Sequence, residues 1–367
     1  MSRPSDFEAA SRSIAVLCHS TLDPGVFRSE VLREVTRVVP ADAVWWAAAD
    51  PATLLFTSAY RVGLPADSAS YFVDTEFLAQ DVNKWTDLAR DRHGVRSLAR
   101  ATAGRLRDSP RYRDIFAPLG LGDEMRAVLR IQGQTWGLLC LHRAAGSEYS
   151  ADQAAWLRGI APDLATGMRL GVLHEAADAG GESEPGIVML GPDGSVVNAS
   201  RRGAEWLDEL ATGQSDVGAV PVAVQAVAGR LRSLGAAGQA PPRLRLRTPA
   251  GRWAVIHGSW IDGPGEAVIA VIIEEAAPTE VAPVMMLAYG FTPRERTITG
   301  LISRGLSTAE VADELSIAPD TVQDHLKSVF AKTGTGSRAE LVATLMRQQY
   351  LPRVKTGARV GPTGFFS

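Results

Sequence analysis

In the first 175 residues the apolar positions change period several times. They recur at helical spacing over Phe7–Cys18 and Val26–Val39, then form two runs rich in β-branched and aromatic residues, Ala43–Ala49 and Thr53–Tyr60, around Asp50-Pro51. Those periods predict two helices followed by a hairpin. A helix is expected near Asp81–Arg92, and a second hairpin where Gln132-Gly133 joins Glu124–Ile131 to Gln134–His142. A long helix over Ser150–Leu173 carries Leu157, Ile160, Ala161, Leu164 and Met168 on one face, and Pro162 is expected to kink it or start a new one. This order implies a mixed α+β sheet, not a doubly wound parallel one.

A shorter version of the same order follows. Ile187–Leu190 and Ser195–Asn198 flank the turn Pro192-Asp193-Gly194, helices are expected near Ala199–Leu210 and Pro221–Leu234, and three strands follow at Arg243–Thr248, Arg252–Trp260 and Glu266–Glu274. Small, polar or proline-bearing stretches at Ala176–Pro185 and Ala276–Pro283 look like linkers. The expected division is 1–175, 184–275 and 284–352, with 353–367 a flexible tail.

From Phe291 the chain spells out helix starts. Thr292-Pro293-Arg294-Glu295, Ser307-Thr308-Ala309-Glu310 and Ser337-Arg338-Ala339-Glu340 each have the residues of a capping box, with glycines at 305, 334 and 336 where helices end. Four helices follow, Pro293–Arg304, Thr308–Leu315, Pro319–Thr333 and Arg338–Gln348, an all-α domain. Its shared core is Ile298, Leu301, Ile302, Val311, Ala312, Leu315, Val322, Leu326, Val329, Phe330, Leu341 and Leu345. Only Ser316, Ile317 and Ala318 join the second helix to the third, the tight connection of a helix-turn-helix.

Composition bounds the chemistry. A chain of 367 residues, 46% hydrophobic and 22% charged, is globular and multidomain, and its longest apolar runs fall far short of a bilayer span. Asp6 and Glu8 sit where a secretory signal needs basic residues before an apolar core, so a cytoplasmic protein with no membrane partner is expected. Cys18, Cys140 and six scattered histidines show no zinc spacing, and no metal or other cofactor is implied. The net charge of −3 conceals an asymmetry: residues 291–367 carry ten Lys and Arg against seven Asp and Glu, a mild hint of a polyanionic partner.

With Val322, Leu326 and Val329 inward, helical spacing turns Asp320, Gln323, Asp324 and Lys327 outward on one stripe. Gln pairs with adenine, Asp accepts from cytosine and Lys donates to guanine, so Gln323, Asp324 and Lys327 are candidate base readers. An ordinary solvated face is the alternative for this stripe, on a helix whose net charge is zero; phosphate contacts fall to Ser307, Thr308, Thr321, His325, Lys332 and Arg338, with packing the commoner role for a residue placed like His325. The segments Phe291-Thr-Pro-Arg-Glu-Arg296, Gly305–Leu315, Thr321–Lys327 and Ser337–Leu341 closely resemble the LuxR-type (NarL-type) DNA-binding domain. That resemblance implies a recognition role for the third helix and, for the fourth, dimer formation through Leu341, Val342, Leu345 and Met346. Double-stranded DNA and a second copy of the chain are then the implied partners. Two departures stand out: Gln323, followed by acidic Asp324, occupies a position that is usually basic, and Ala318 replaces a capping Ser or Thr, both of which weaken nonspecific affinity.

The first region is similar in element order to a GAF domain, and the second resembles a small, degenerate PAS domain, also α+β. The resemblance implies a cup in each for a small-molecule or protein signal. Trp46, Tyr60, Phe77, Trp85, Cys140 and His142 are candidate pocket residues, although core packing is the commoner role for such aromatics. Strand alternation puts Trp45 and Trp46 on opposite faces, so one of them points inward. No phosphate loop, nucleophile elbow or His-carboxylate metal set marks an enzyme. The expectation is a DNA-binding transcription regulator, the alternative being an interaction module whose helix-turn-helix binds a protein.

Overall fold

A computed structural model describes residues 4–20, 22–65, 68–173, 184–212, 220–235, 241–261 and 267–345. They fall into two compact units, one holding two β-sheets and the other the C-terminal helices.

The first unit opens with α1 (Pro4–Cys18) and α2 (Pro24–Val38), where the Asp23 carboxylate caps Gly25 and Val26. A five-stranded antiparallel sheet follows, formed by β1 (Ala43–Ala49), β2 (Phe56–Val62), β3 (Val95–Ser97), β4 (Leu121–Ile131) and β5 (Gln134–Ala144). Between β2 and β4 lie α3 (Ser68–Phe77), α4 (Trp85–Arg90) and α5 (Leu98–Ala101), and α6 (Ala151–Val172) comes after β5. The strand order is β2-β1-β5-β4-β3. At the β4–β5 turn Gln132 and Gly133 both have positive φ, 51° and 76°, as the tight two-residue hairpin requires.

Both faces of this sheet are covered. Trp45 packs against Phe56, Phe72 and Trp85 on one face, while Trp46 meets Phe27 of α2 and donates its indole N–H to Met168 Sδ of α6 on the other. Alternation therefore holds, yet both tryptophans are buried, because helices pack on either side. Pro162 does not divide α6, which runs unbroken through it. The helix expected over Asp81–Arg92 shrinks to α4, and α3 and β3 are elements that the periodicity does not announce.

The second sheet consists of β6 (Gly186–Leu190), β7 (Val196–Ala199), β8 (Arg243–Arg247), β9 (Trp253–Ile261) and β10 (Val268–Glu275). Its order, β7-β6-β10-β9-β8, repeats that of the first sheet strand for strand. Between β7 and β8 come α7 (Arg201–Ala211), capped by Ser200, and α8 (Val222–Leu234). One hydrophobic cluster runs through both sheets, from Trp45, Phe72 and Leu138 to Val188, Val227 and Ile256. Charged contacts reinforce it: buried Asp50 accepts from the Arg245 amide at 2.9 Å and from its guanidinium at 3.0 and 3.1 Å, and Arg232 pairs with Asp74 at 2.8 Å.

The second unit contains α9 (Pro278–Ala288), α10 (Pro293–Ser303), α11 (Thr308–Leu315), α12 (Pro319–Thr333) and α13 (338–345). The stretch expected as a linker, Ala276–Pro283, lies largely in α9: Pro278 occupies the first turn, where proline is tolerated, and the Glu280 carboxylate accepts from the Ala277 amide at 2.8 Å. The other expected linker, Ala176–Pro185, lies mostly outside the described residues, as does the tail 353–367. Ile298, Leu301, Ile302, Val311, Ala312, Val322 and Leu326 form the core of the C-terminal helices, with Leu315, Ile317 and Phe330 packed against it.

Candidate nucleic-acid interface

Helix α12 is presented by a short turn. Ser316 ends α11 in the left-handed region at φ 51°, ψ 50°, its N–H bonded back to the helix, and Ile317 tucks against the core. Ala318 starts α12 without a side-chain cap, and Pro319 supplies the first helical residue. Ser307 and Glu310 cap α11 reciprocally, at 3.3 and 2.7 Å. Thr292 and Glu295 do the same for α10, at 3.3 and 2.7 Å. At the third box Ser337 accepts from the Glu340 amide at 3.2 Å, but the Glu340 carboxylate reaches one residue further back, to the Gly336 amide at 2.6 Å.

Glu295 also ties α10 to α12. Its buried carboxylate accepts from Ser328 Oγ at 2.7 Å and from Lys332 Nζ at 2.6 Å. Burial opposes its ionisation, but bonds from Lys332, Ser328 and the Thr292 amide prevail and bring its pKa down to about 2. With Lys332 also donating to the Gly290 carbonyl at 3.1 Å, the rear of α12 is locked to the start of α10.

The opposite face of α12 is open. Asp320, Thr321, Gln323, Asp324 and Lys327 are all exposed, while Val322, Leu326 and Val329 are buried, as the spacing predicts. Lys327 Nζ pairs with Asp324 at 2.9 Å, with both side chains about three-quarters exposed (75% and 73%), so two of the three candidate readers neutralise one another.

The candidate phosphate contacts are scattered in role. Thr321 is exposed and His325 half-buried. The Ser307 hydroxyl is engaged in its cap, the Thr308 hydroxyl accepts from the Arg338 guanidinium, and Lys332 is held by Glu295. On α13 the structure buries Leu341 and Leu345 within the single chain and leaves Val342 half-buried. Spacing by four puts both leucines on the inward stripe that completes the core. Met346 lies outside the described residues.

The candidate pocket residues do not gather at one place. Trp46 pairs in register with Tyr60 and Leu139, whereas Cys140 pairs with Trp45, so Trp46 and Tyr60 share one face of the first sheet and Cys140 and His142 the other. Trp85 stacks on Trp45 with ring centroids 6.4 Å apart, and Phe77 meets Phe56 at 5.9 Å. The face that carries Cys140 and His142, the inner face, also holds a buried ionic network that strand periodicity does not announce. Glu124 accepts from Arg111 at 2.7 Å and Arg126 at 3.0 Å, Arg111 reaches Asp81 at 2.7 Å, and Arg126 reaches Glu76 at 3.3 Å. Its signal was the pair Glu124 and Arg126, charges two apart on one face of a strand otherwise apolar in its middle.

The family model for bacterial regulatory proteins of the luxR family (GerE) matches residues 290–345, the stretch from α10 to α13. Residues 290–345 are a LuxR-family domain. An HTH-type transcriptional regulator of Mycobacterium bovis is 46% identical over 57 residues, 16% of this chain and 6% of the relative. The transcriptional regulatory protein NarL of Mycobacterium tuberculosis is 40% identical over 80 residues, 22% of this chain and 33% of NarL. The chain thus spans under a tenth of the first relative and a third of the second. Among solved structures, the GAF domain of a Coxiella burnetii phosphoenolpyruvate-protein phosphotransferase is 16% identical with a TM-score of 0.34, covering 46% of this chain and 95% of that chain.

Proposed function

We propose that the protein is a sequence-specific DNA-binding transcription regulator, not an enzyme, acting as a dimer under the control of a signal received by its front half. The reading rests on one observation: α12 of the LuxR-family domain presents an exposed polar stripe from a rigid, capped scaffold. In this reading α12 enters the major groove, where Gln323, Asp324 and Lys327 meet base edges. Docking would open the Asp324–Lys327 pair, which is inexpensive because both groups are solvated.

Phosphates would be met by Thr321, His325, the α11 start at Ser307 and Thr308, and Arg338. Lys332 has the weakest claim to such a role, since its ammonium is already held by Glu295. We retain 1–175 and 184–275 as proposed GAF-like and PAS-like sensory domains and 284–352 as the DNA-binding domain, with Val342 and Met346 as the proposed dimer contacts beside Leu341 and Leu345. A signal would act by binding two arrangements of the front half with different affinity. Selection of duplexes from a random pool by the full chain tests the reading. A recovered consensus that relaxes at one base pair in Gln323→Ala supports it; recovery of no duplex favours a helix-turn-helix turned to a protein partner, for which the acidic Asp320 and Asp324 speak.

A further inference from the structure

Outside the DNA-binding region, the inner face of the first sheet holds a group of side chains that the proposed function does not use. Cys140 and His142 lie two apart on β5 and face the same way, and Glu124 of β4 stands opposite His142 in the ladder. One donor atom from each, the Glu124 carboxylate oxygen, Cys140 Sγ and a ring nitrogen of His142, all fall within 4.8 Å of one another. All three residues are fully buried, at 0% exposure. Cys140 donates its S–H to Glu124 Oε1 at 3.3 Å. His142 lies edge-on to Phe116, centroids 4.6 Å apart, and neither ring nitrogen has a hydrogen-bond partner. A buried imidazole without a partner has given up its bonds to water and gained none in return, so such a ring calls for something to bind it.

We propose that Glu124, Cys140 and His142 form a binding site for a divalent d-block cation of borderline softness, zinc being the type. A thiolate, an imidazole and a carboxylate are the donor types that such an ion takes, and three protein ligands leave a fourth position open. The ion replaces the proton that now bridges Cys140 and Glu124: the S–H bond breaks, the proton leaves to solvent, and a metal–sulfur bond forms without any change of oxidation state. One His142 nitrogen gains its missing partner. Arg111 and Arg126 hold the Glu124 carboxylate from behind, as outer partners that orient a ligand do. The surrounding network sets Glu76, Asp81 and Glu124 against the two guanidiniums of Arg111 and Arg126. Spacing along the chain cannot reveal this set, since the ligands come from two strands.

The test titrates the tag-free, metal-stripped full chain with Co2+ as a spectroscopic probe. The expected result is one equivalent bound, with a thiolate-to-cobalt charge-transfer band and release of one proton. Cys140→Ser should abolish the band, Cys18→Ser should leave it, and His142→Gln should weaken binding by more than about 100-fold, beyond the loss typical of outer partners. Should a variant fail to fold, X-ray absorption of the zinc-loaded wild-type chain decides instead: one sulfur at about 2.3 Å among nitrogen and oxygen ligands is expected. Absence of stoichiometric cobalt binding, or binding without a sulfur ligand, overturns the site.

Discussion

Two carboxylate–cation pairings in this molecule use the same chemistry to opposite ends. Glu124 lies between Arg111 and Arg126 with all three side chains at most 1% exposed, whereas Asp324 and Lys327 meet on α12 with about three-quarters of each in water. The first cannot exchange partners without stranding charge in the core. The second exchanges partners at almost no cost, which suits a surface meant to meet another molecule. Charge count therefore says little about role until burial is known.

The sharpest way to break this contrast is Glu124→Gln, which leaves two buried guanidiniums short of a counter-charge. A loss of about 3–5 kcal/mol in denaturant unfolding of the full chain is expected. Asp50→Asn comes next: it removes the buried charge that accepts three bonds from Arg245 and joins the two sheets. About 2–3 kcal/mol should be lost, and the common transition of the two sheets should broaden or split. Glu295→Gln, which weakens the tie between α10 and α12, should cost about 1.5–2 kcal/mol in the C-terminal transition.

Acid should act on both regions, for different reasons. Glu295 has a folded pKa near 2 against an ordinary value of 4.5, so its contribution is present above about pH 4.5 and is lost as pH falls toward 2. His142, which burial pushes from 6.5 down to about 4, stays neutral in the fold; stability tied to it is present above pH 6.5 and lost as pH falls through 4. Buried Glu76 in the same half runs the other way: burial raises its pKa to about 7, so it takes up a proton and favours the fold as pH falls from 7 toward 4.5, and the His142 loss is read as the difference between wild type and His142→Phe in acid unfolding followed by tryptophan fluorescence. His142→Phe should remove the upper window. The smallest effect belongs to Lys327→Ala, within about 0.5 kcal/mol on folding, because its pair with Asp324 is a surface one.

Much of the fold was legible where local rules act alone. The C-terminal helices could be read from their caps because Thr292 with Glu295 and Ser307 with Glu310 close within four residues, and the Gln132-Gly133 hairpin because its two positive φ values are local too. The elements that escaped depend on distant partners. The short strand β3 exists because β4 pairs with it, and α3 carries the buried Glu76, a residue that surface periodicity would place outward. The same limit explains the site. The stripe Gln323, Asp324 and Lys327 follows from helical period alone, whereas Trp46 and His142, candidates for one pocket, lie on opposite faces of the sheet, because register cannot be read from one strand. Leu341 and Leu345 carried both a core and an interface reading, and burial assigns them to the core.

The most direct test of the central claim is equilibrium binding of the full chain to a selected duplex, measured over a series of salt concentrations beside Lys327→Ala. The expected result is affinity that falls linearly with salt on logarithmic axes, and a Lys327→Ala protein that folds normally yet binds the preferred site about 1–3 kcal/mol more weakly. Failure to bind any duplex at low salt, or binding indifferent to Lys327, would contradict the assignment of α12 as the reading helix.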